Sequence, residues 1–403
     1  MTGKKILVTD AHRGSAISII RSLGRKGYTV YAADSEKKSL GFYSRYVSGQ
    51  IVYPPPEQYA DRYQQFMLGT AKQEKIDLII PVTDLTIYPL LKIRKELSSV
   101  SRLAIPDDEQ LAMVSDKYRT VCLAKELGIP VPKTILVQTT QEALHHAKAL
   151  GWPIVVKPQV SKLLDSDHQI KSFQVTFANS ESELKRAMQE LEGQCPVLLQ
   201  SFYTGFGVGI ELCAYKGSLL AVFEHKRRRE IPVSGGASSY RESVALEPEL
   251  VGYASKLMKA LSWTGLAMVE FKSGPEGAKL MEINGRVWGS LPLAVKSGVD
   301  FPALLASCYL EKVPEQVHEL KTDYRIGVRS RDVQKDLLWI ASVLAQKRDF
   351  PFLEMPKRRK AIKAILGYMN PKRKIDLFSW DDPLPAVYGF PQIIWNLGKK
   401  VKK

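Results

Sequence analysis

The first hundred residues alternate short apolar runs with amphipathic stretches, an order that few architectures accept. Ile6-Leu7-Val8 leads through a turn at Asp10 to Ser15 into Ala16, Ile17, Ile19, Ile20 and Leu23, spaced as one helical face. Gly27 closes that helix, and Tyr28 to Ala33 returns as a strand ending in Asp34. A strand, a helix and a second strand in this order make a βαβ unit. Ile51-Val52, a helix over 59–72, Leu78-Ile79-Ile80-Pro81, a helix over 87–97 and Leu103-Ala104-Ile105 repeat the pattern. A small parallel α/β unit is expected, its strands buried on both faces. No Gly-x-Gly-x-x-Gly follows the first strand, so no dinucleotide site is expected in it. Asp34 reads as a helix or turn cap, with a ligand contact as the alternative, and Thr83-Asp84 sits at a strand end, where α/β folds place ligands.

The stretch 107–127 reads as largely helical, with Asp116 in Ser115-Asp116-Lys117 placed to cap a second helix. Gly128-Ile129-Pro130-Val131-Pro132 stops that helix, since proline cannot continue it. Beyond it Ile154-Val155-Val156-Lys157 is an apolar strand ending in a lysine. Such a lysine either snorkels to the surface or meets an anion. Pro196 to Gln200 is another apolar strand, and Gly205, Gly207 and Gly209 then alternate, which permits close backbone approach. Strands are expected at 210–215 and 219–224. The basic run His225 to Glu230 precedes Gly235-Gly236-Ala237-Ser238-Ser239, whose amides suit an anion, so an acidic small molecule is expected there.

A helix over 248–261 delivers the chain into Leu266 to Phe271, answered after Ser273 to Gly277 by Lys279 to Arg286. Two apolar runs around a turn-rich connection make a β-hairpin, which sets Glu270 beside Glu282. With Asn284 they offer oxygen ligands suited to Mg²⁺ on nucleotide phosphates, and Arg286 is placed to neutralise a transferring phosphoryl group.

Four cysteines, Cys122, Cys195, Cys213 and Cys308, lie far apart, so neither a zinc site nor a disulfide framework is indicated and a reducing, cytoplasmic setting is expected. The start lacks the apolar core of a signal peptide, and no apolar run approaches the ~18 residues of a membrane span.

In order and spacing, Ser115-Asp116-Lys117, Val155-Val156-Lys157-Pro158, the glycine-rich strands after Gln200, and Val269-Glu270 followed by Glu282-Ile283-Asn284-Gly285-Arg286 resemble the ATP-grasp superfamily. The resemblance covers roughly residues 4 to 310 and is closest to carboxylate-amine ligases and carbamoyl-phosphate-synthase-like proteins. It implies an α/β fold: a parallel pre-ATP-grasp domain over 1–108, a linker helix and lid lobe over 109–195, a lobe with the metal and substrate sites over 196–325, and a basic, aromatic helical tail over 326–403. It further implies ATP with Mg²⁺, or Mn²⁺ in its place. Lys117 and Lys157 match the phosphate-holding lysines. Leu199, Gln200, Ser201, Phe202 and Tyr203 match the adenine hinge, Glu270, Glu282 and Asn284 the metal ligands, and Arg286 and Asn284 the catalytic pair.

Arg227, Arg229, Gly235, Gly236, Ser238 and Arg241 fall in the substrate-facing stretch, and Trp288-Gly289-Ser290 beside the acceptor pocket. Gln200 and Val208 stand where many members carry Glu, so the ribose contact is reassigned to Glu211. The lid loop, usually glycine-rich, has none between Gln159 and Phe173 and offers Ser161, Lys162, Ser166, His168 and Lys171. The activity implied is formation of an acyl phosphate from a carboxylate and ATP, with capture by an amine. Bicarbonate activation of the carbamoyl-phosphate or carboxylase type is the first alternative, and a non-catalytic nucleotide-binding or membrane-surface scaffold the second. A homodimer is expected by the same resemblance.

The net charge of +16 is concentrated at the end. From Ile326 onward 17 Lys and Arg face 7 Asp and Glu, among nine aromatics. Helices lying on an anionic membrane surface, at the inner face, are one expectation; a helical appendage packed on the core is the other. No nucleic-acid module is present.

Overall fold

The computed structural model describes residues 3–164, 170–310, 320–346, 354–370 and 372–401. Ser166 and His168, named from the sequence, lie outside the described residues.

Strands β1 (Lys5–Val8), β2 (Thr29–Asp34), β3 (Gly49–Val52), β4 (Leu78–Ile80) and β5 (Arg102–Leu103) form a parallel sheet in the order β3-β2-β1-β4-β5. Ile6, Leu7 and Val8 are wholly buried, as a strand covered by helices on both faces must be. The turn after β1 is held by Asp10, whose carboxylate accepts from the amide and hydroxyl of Thr83 and from the Thr86 hydroxyl. Asp34 is a cap, as its strand-end position suggested: it accepts from the amides of His12 and Glu36 and from the Ser39 hydroxyl. The expected helix over 87–97 is two, Asp84–Lys92 and Arg94–Ser98, broken at Ile93. Asp116 caps Lys117–Glu126 by accepting from the amides of Tyr118 and Arg119, which fixes Lys117 as the first helical residue.

A second, antiparallel sheet of order β10-β7-β11-β6 is built from β6 (Thr134–Val137), β7 (Ile154–Pro158), β10 (Thr176–Ala178) and β11 (Val197–Ser201). It has a core of its own, with Ile154, Val156, Leu184, Met188, Val197 and Leu199. Between β7 and β10 the glycine-free segment carries a short antiparallel hairpin, β8 (Lys162–Leu164) and β9 (Ile170–Ser172), rather than an open loop.

The third sheet runs β16-β15-β12-β13-β14-β17-β18 and comprises β12 (Phe206–Tyr215), β13 (Ser218–Ile231), β14 (Ala237–Ser243), β15 (Gly265–Gly274), β16 (Gly277–Asn284), β17 (Arg329–Arg331) and β18 (Arg373–Ile375). The basic run is therefore the far half of β13, since the strand expected to end at Glu224 runs on to Ile231. Its charges are tolerated because neighbouring strands and the C-terminal segment supply carboxylates.

That segment packs on the core, as the second expectation had it, but it is not helical alone. It holds helices Val333–Ala345, Arg358–Leu366 and Leu384–Val401, but also gives β17 and β18 to the sheet. Trp339, Ile340 and Val343 pack with Ala361 and Ala364 into a small core against Ile231 and Val233. Net charge concealed the reason. Three of the segment's seven acids, Asp336, Asp376 and Asp382, are buried, and each accepts from an arginine of the body or of β17. Among the described residues no single helix is long and apolar enough to cross a membrane.

Candidate active site

Antiparallel pairing of β15 with β16 places Glu270 directly opposite Glu282, and a bulge follows at Phe271. Asn284, two residues past Glu282 and on the same face, donates its amide to Glu270 Oε1 at 3.0 Å and to Glu282 Oε1 at 3.1 Å. Two partly buried carboxylates side by side repel, so their protonation separates. Burial pushes Glu270 up to about 6, with Arg227 pulling it down and Glu282 pushing it further up. Burial raises Glu282 too, but Lys157, the Asn284 amide and Lys117 outweigh it and hold the carboxyl below its ordinary range.

Arg227 reaches this pair from β13, across the whole width of β12. The glycines of β12 make the crossing feasible: a Cβ at Gly207 would lie 2.7 Å from the Arg227 side chain, and one at Gly209 2.3 Å from the His225 ring. Arg227 pairs with Glu270 and donates to Glu230 at 3.2 Å and to the Gly236 carbonyl at 3.1 Å. Those two carboxylates hold its guanidinium more firmly protonated than usual although burial opposes them.

Arg286 follows the hairpin and donates through Nε to Asp84 Oδ1 at 2.8 Å. Asp84 opens the helix after β4, so two candidates that stood 202 residues apart in the chain meet, and the parallel sheet is tied to the hairpin at this point.

Opposite the carboxylates lies a cleft of about 480 Å³. Lys157, Gln200, Ser201, Phe202 and Tyr203 line one wall, and Gly235, Gly236, Ser238, Glu270, Glu282, Asn284 and Arg286 the other. Lys157 pairs across to Leu198 and Gln200 to Val155, so lysine and hinge share two adjacent strands. Gln200 spends its side-chain amide on the Thr134 hydroxyl at 2.9 Å. Leu199 is wholly buried in the lobe core, leaving only its backbone for a ligand. Tyr203 is anchored by its hydroxyl to the Gly277 carbonyl at 2.7 Å. Lys117 sits behind this wall and donates to the Pro158 carbonyl at 3.2 Å and the Ser161 hydroxyl at 2.9 Å.

Five expected residues do not line the cleft: Lys117 behind its wall, Leu199 in the lobe core, and Glu211, Arg241 and Arg229. Glu211 is wholly buried and accepts from the Ser290 hydroxyl at 2.5 Å, so no ribose contact is open to it. Arg241 is buried, donating to the Ser238 and Gly289 carbonyls and pairing with Asp376. Arg229 is re-aimed by the register shift beside it and pairs with Asp336 at 2.6 Å, its guanidinium over Tyr240 and Trp339. Each arginine answers an acid of the C-terminal segment, a pairing that strand spacing does not encode.

Sequence reasoning missed Met268, Met281, Phe177, Lys272 and Lys335 in the lining. Lys335 comes from the helix Val333–Ala345, so the C-terminal segment helps build the cleft. Its position three residues past the helix cap Asp332 carried no signal of this. The hydroxyls of Ser234 and Ser238, both lining the cleft, are buried without a hydrogen-bond partner among the described residues. An unmet donor at a cleft wall suits a polar ligand.

The donor set fits one hard cation. Glu270, Glu282 and the Asn284 oxygen suit an ion that completes its shell with water and phosphate oxygens, as Mg²⁺ does; among the described residues no group of three or more His, Cys, Asp or Glu is arranged to hold a metal ion.

Residues 194–331 match the family described as ATP-grasp in the biosynthetic pathway with Ter operon. The C-terminal section of the carbamoyl phosphate synthase large chain of Methanocaldococcus jannaschii is 28% identical over 278 residues, which is 64% of this chain and 41% of that protein. This chain thus matches less than half the length of that relative. The biotin carboxylase domain of the Hydrogenobacter thermophilus 2-oxoglutarate carboxylase, solved as a dimer with MgADP, ADP and bicarbonate, superposes with a TM-score of 0.62 at 18% identity, covering 82% of this chain and 74% of that one. N5-carboxyaminoimidazole synthetase from Staphylococcus aureus gives 0.63 at 13% identity over 88% and 91% of the two chains. L-amino acid ligase from Bacillus licheniformis gives 0.59 at 17% over 77% and 76%.

Proposed function

We propose that this chain, which has the ATP-grasp fold, is an Mg-ATP-dependent ligase that activates a small carboxylate and joins it to an amine, releasing ADP and phosphate. The observation that carries the reading is the set Glu270, Glu282, Asn284 and Arg286 facing Lys157 across one cleft. A carboxylate oxygen of the substrate attacks the γ-phosphorus and ADP leaves. The amine then attacks the acyl carbon, phosphate leaves and the nitrogen loses a proton. Bound Mg²⁺ would supply charge neutralisation between the phosphates, held by Glu270, Glu282 and Asn284. Arg286, fixed by Asp84, neutralises the phosphoryl group in flight; Lys157 holds the phosphates; the 200–203 backbone receives the base. Positioning and charge carry the chemistry, with no side-chain base needed. A homodimer accompanies the reading, since the biotin carboxylase domain it resembles is a dimer.

The test is ADP release from Mg-ATP across a panel of amino acids, small carboxylates and bicarbonate, each with and without an amine. Release that requires one carboxylate and one amine supports the ligase. Release with bicarbonate alone selects the alternative favoured by likeness to the carbamoyl phosphate synthase chain. Tight nucleotide binding with no release under any pair would leave a scaffold.

Lys157 gives a pH signature. Burial pushes its ammonium down to about 8, against the pull of Glu282. The charged form holds phosphate, so the sign is fixed: affinity is full below pH 8 and falls as pH rises through it, by up to about tenfold per unit. Calorimetric titration of metal-free ADP between pH 7 and 9.5 is expected to show that fall in wild type and a flat profile in Lys157→Arg. A flat wild-type profile would detach Lys157 from the phosphates.

A further inference from the structure

A second cavity of about 530 Å³ lies on the other side of Arg227, between the far half of β13 and the helix Arg358–Leu366. Seven cationic side chains line it against the single carboxylate of Glu230. Several are neutralised from behind. Arg228 and Arg329 share Glu242, Arg229 has Asp336, and Arg227 has Glu270. That leaves Lys360, Lys363 and Arg373, none of which has an ion-pair partner among the described residues. The Nε of Arg373 is buried with no hydrogen-bond partner, and its guanidinium is 5.8 Å from the Tyr240 ring. Lys360 and Lys363 are one helical turn apart and exposed, so both project from one face toward the same space.

Unpaired cations converge on a concavity only at a cost in repulsion, which an anion removes. The volume is that of a small-molecule site, and forked guanidinium donors beside ammonium groups match phosphate oxygens. We propose that this cavity binds a phosphate or diphosphate group, separately from the nucleotide cleft. Arg227 and Glu230 line both cavities, so a molecule held here by its phosphate lies next to the reacting centre. That this phosphate belongs to the acceptor substrate rests on the ligase reading; the binding itself does not. The same helix exposes Ile362, Ile365 and Leu366, so the group has two sources, a soluble phosphate ester or a lipid headgroup.

The nucleotide cleft is first saturated with Mg-ADP, and inorganic pyrophosphate is then titrated calorimetrically into the full chain. Wild type is expected to bind with an affinity that drops steeply with salt. Lys360→Ala/Lys363→Ala is expected to weaken it at least tenfold, with Mg-ADP affinity and melting temperature unchanged. Lys372→Ala/Lys374→Ala, on exposed lysines of another surface, is expected to leave it unaltered. Co-sedimentation with phosphatidic acid vesicles separates the sources. Binding lost in the Lys360/Lys363 variant and displaced by pyrophosphate assigns a headgroup, and no vesicle binding assigns a soluble ester. Absence of pyrophosphate binding in wild type, or equal binding in the Lys360/Lys363 variant, overturns the proposal.

Discussion

Glu282→Gln is expected to lower ADP release by about 10²–10³-fold, or ~3–4 kcal/mol of transition-state stabilisation. The amide keeps the shape of the side chain and an oxygen for the Asn284 amide, which donates to Glu282 Oε1 at 3.1 Å. What disappears is the charge. One of two carboxylates able to hold a cation is lost, and Lys157 loses the counter-charge that opposes its deprotonation. Removing one of two like charges also relieves Glu270, whose carboxyl Glu282 pushes upward. The variant should therefore melt at or above the wild-type temperature while turnover collapses, and that divergence separates a chemical role from a structural one. A turnover within tenfold of wild type would falsify the metal assignment. The comparison is made at saturating ATP, so that a change in nucleotide affinity is read separately from the chemical step.

Asp382→Ala is expected to cost about 3–5 kcal/mol of unfolding free energy. Asp382 is almost wholly buried and accepts from Arg21 Nε at 2.8 Å, the Ser44 hydroxyl at 2.7 Å and the Arg45 amide at 2.8 Å. Truncation leaves Arg21, a residue 3% exposed, without its carboxylate inside the fold, with only the Leu377 and Asp382 carbonyls to accept from it. The neighbouring Asp381 is the control. It binds Arg25 and Tyr46 at the surface, where solvent screens the pair, so Asp381→Ala is expected to cost under about 1 kcal/mol. Urea unfolding of both variants measures the difference, and limited proteolysis reports whether the C-terminal segment is released. Equal, small effects would mean that this segment is not docked as described.

The contrast between these two sites shows how far the sequence could be read. The parallel sheet was legible from Ile6-Leu7-Val8 and Leu78-Ile79-Ile80, because a strand buried on both faces must be apolar throughout. The hairpin and its carboxylate pair were legible because turn residues fix register, and register fixes which side chains face each other. The β12 glycines were visible as a pattern, but their purpose was not: they leave room for Arg227 to cross a strand.

The arginines mark the limit. Arg227, Arg229 and Arg241 looked alike in the sequence, yet one joins the carboxylate pair and two are consumed by Asp336 and Asp376. Those acids lie 107 and 135 residues further along the chain, in a segment read from the sequence as a basic helical tail. Lys335 entered the cleft lining from the same segment for the same reason.

The sequence by itself determined the alternating strand and helix order of the first hundred residues, the Glu270–Glu282 pair with Asn284, and the placement of Lys157 at a strand end, since each follows from local periodicity and turn chemistry. Only the tertiary structure decided which cations stay free, that Asp84 holds Arg286, and that the C-terminal segment belongs to the body. Charge pairing acts through space, and the partner that neutralises a buried side chain can come from any distance along the chain.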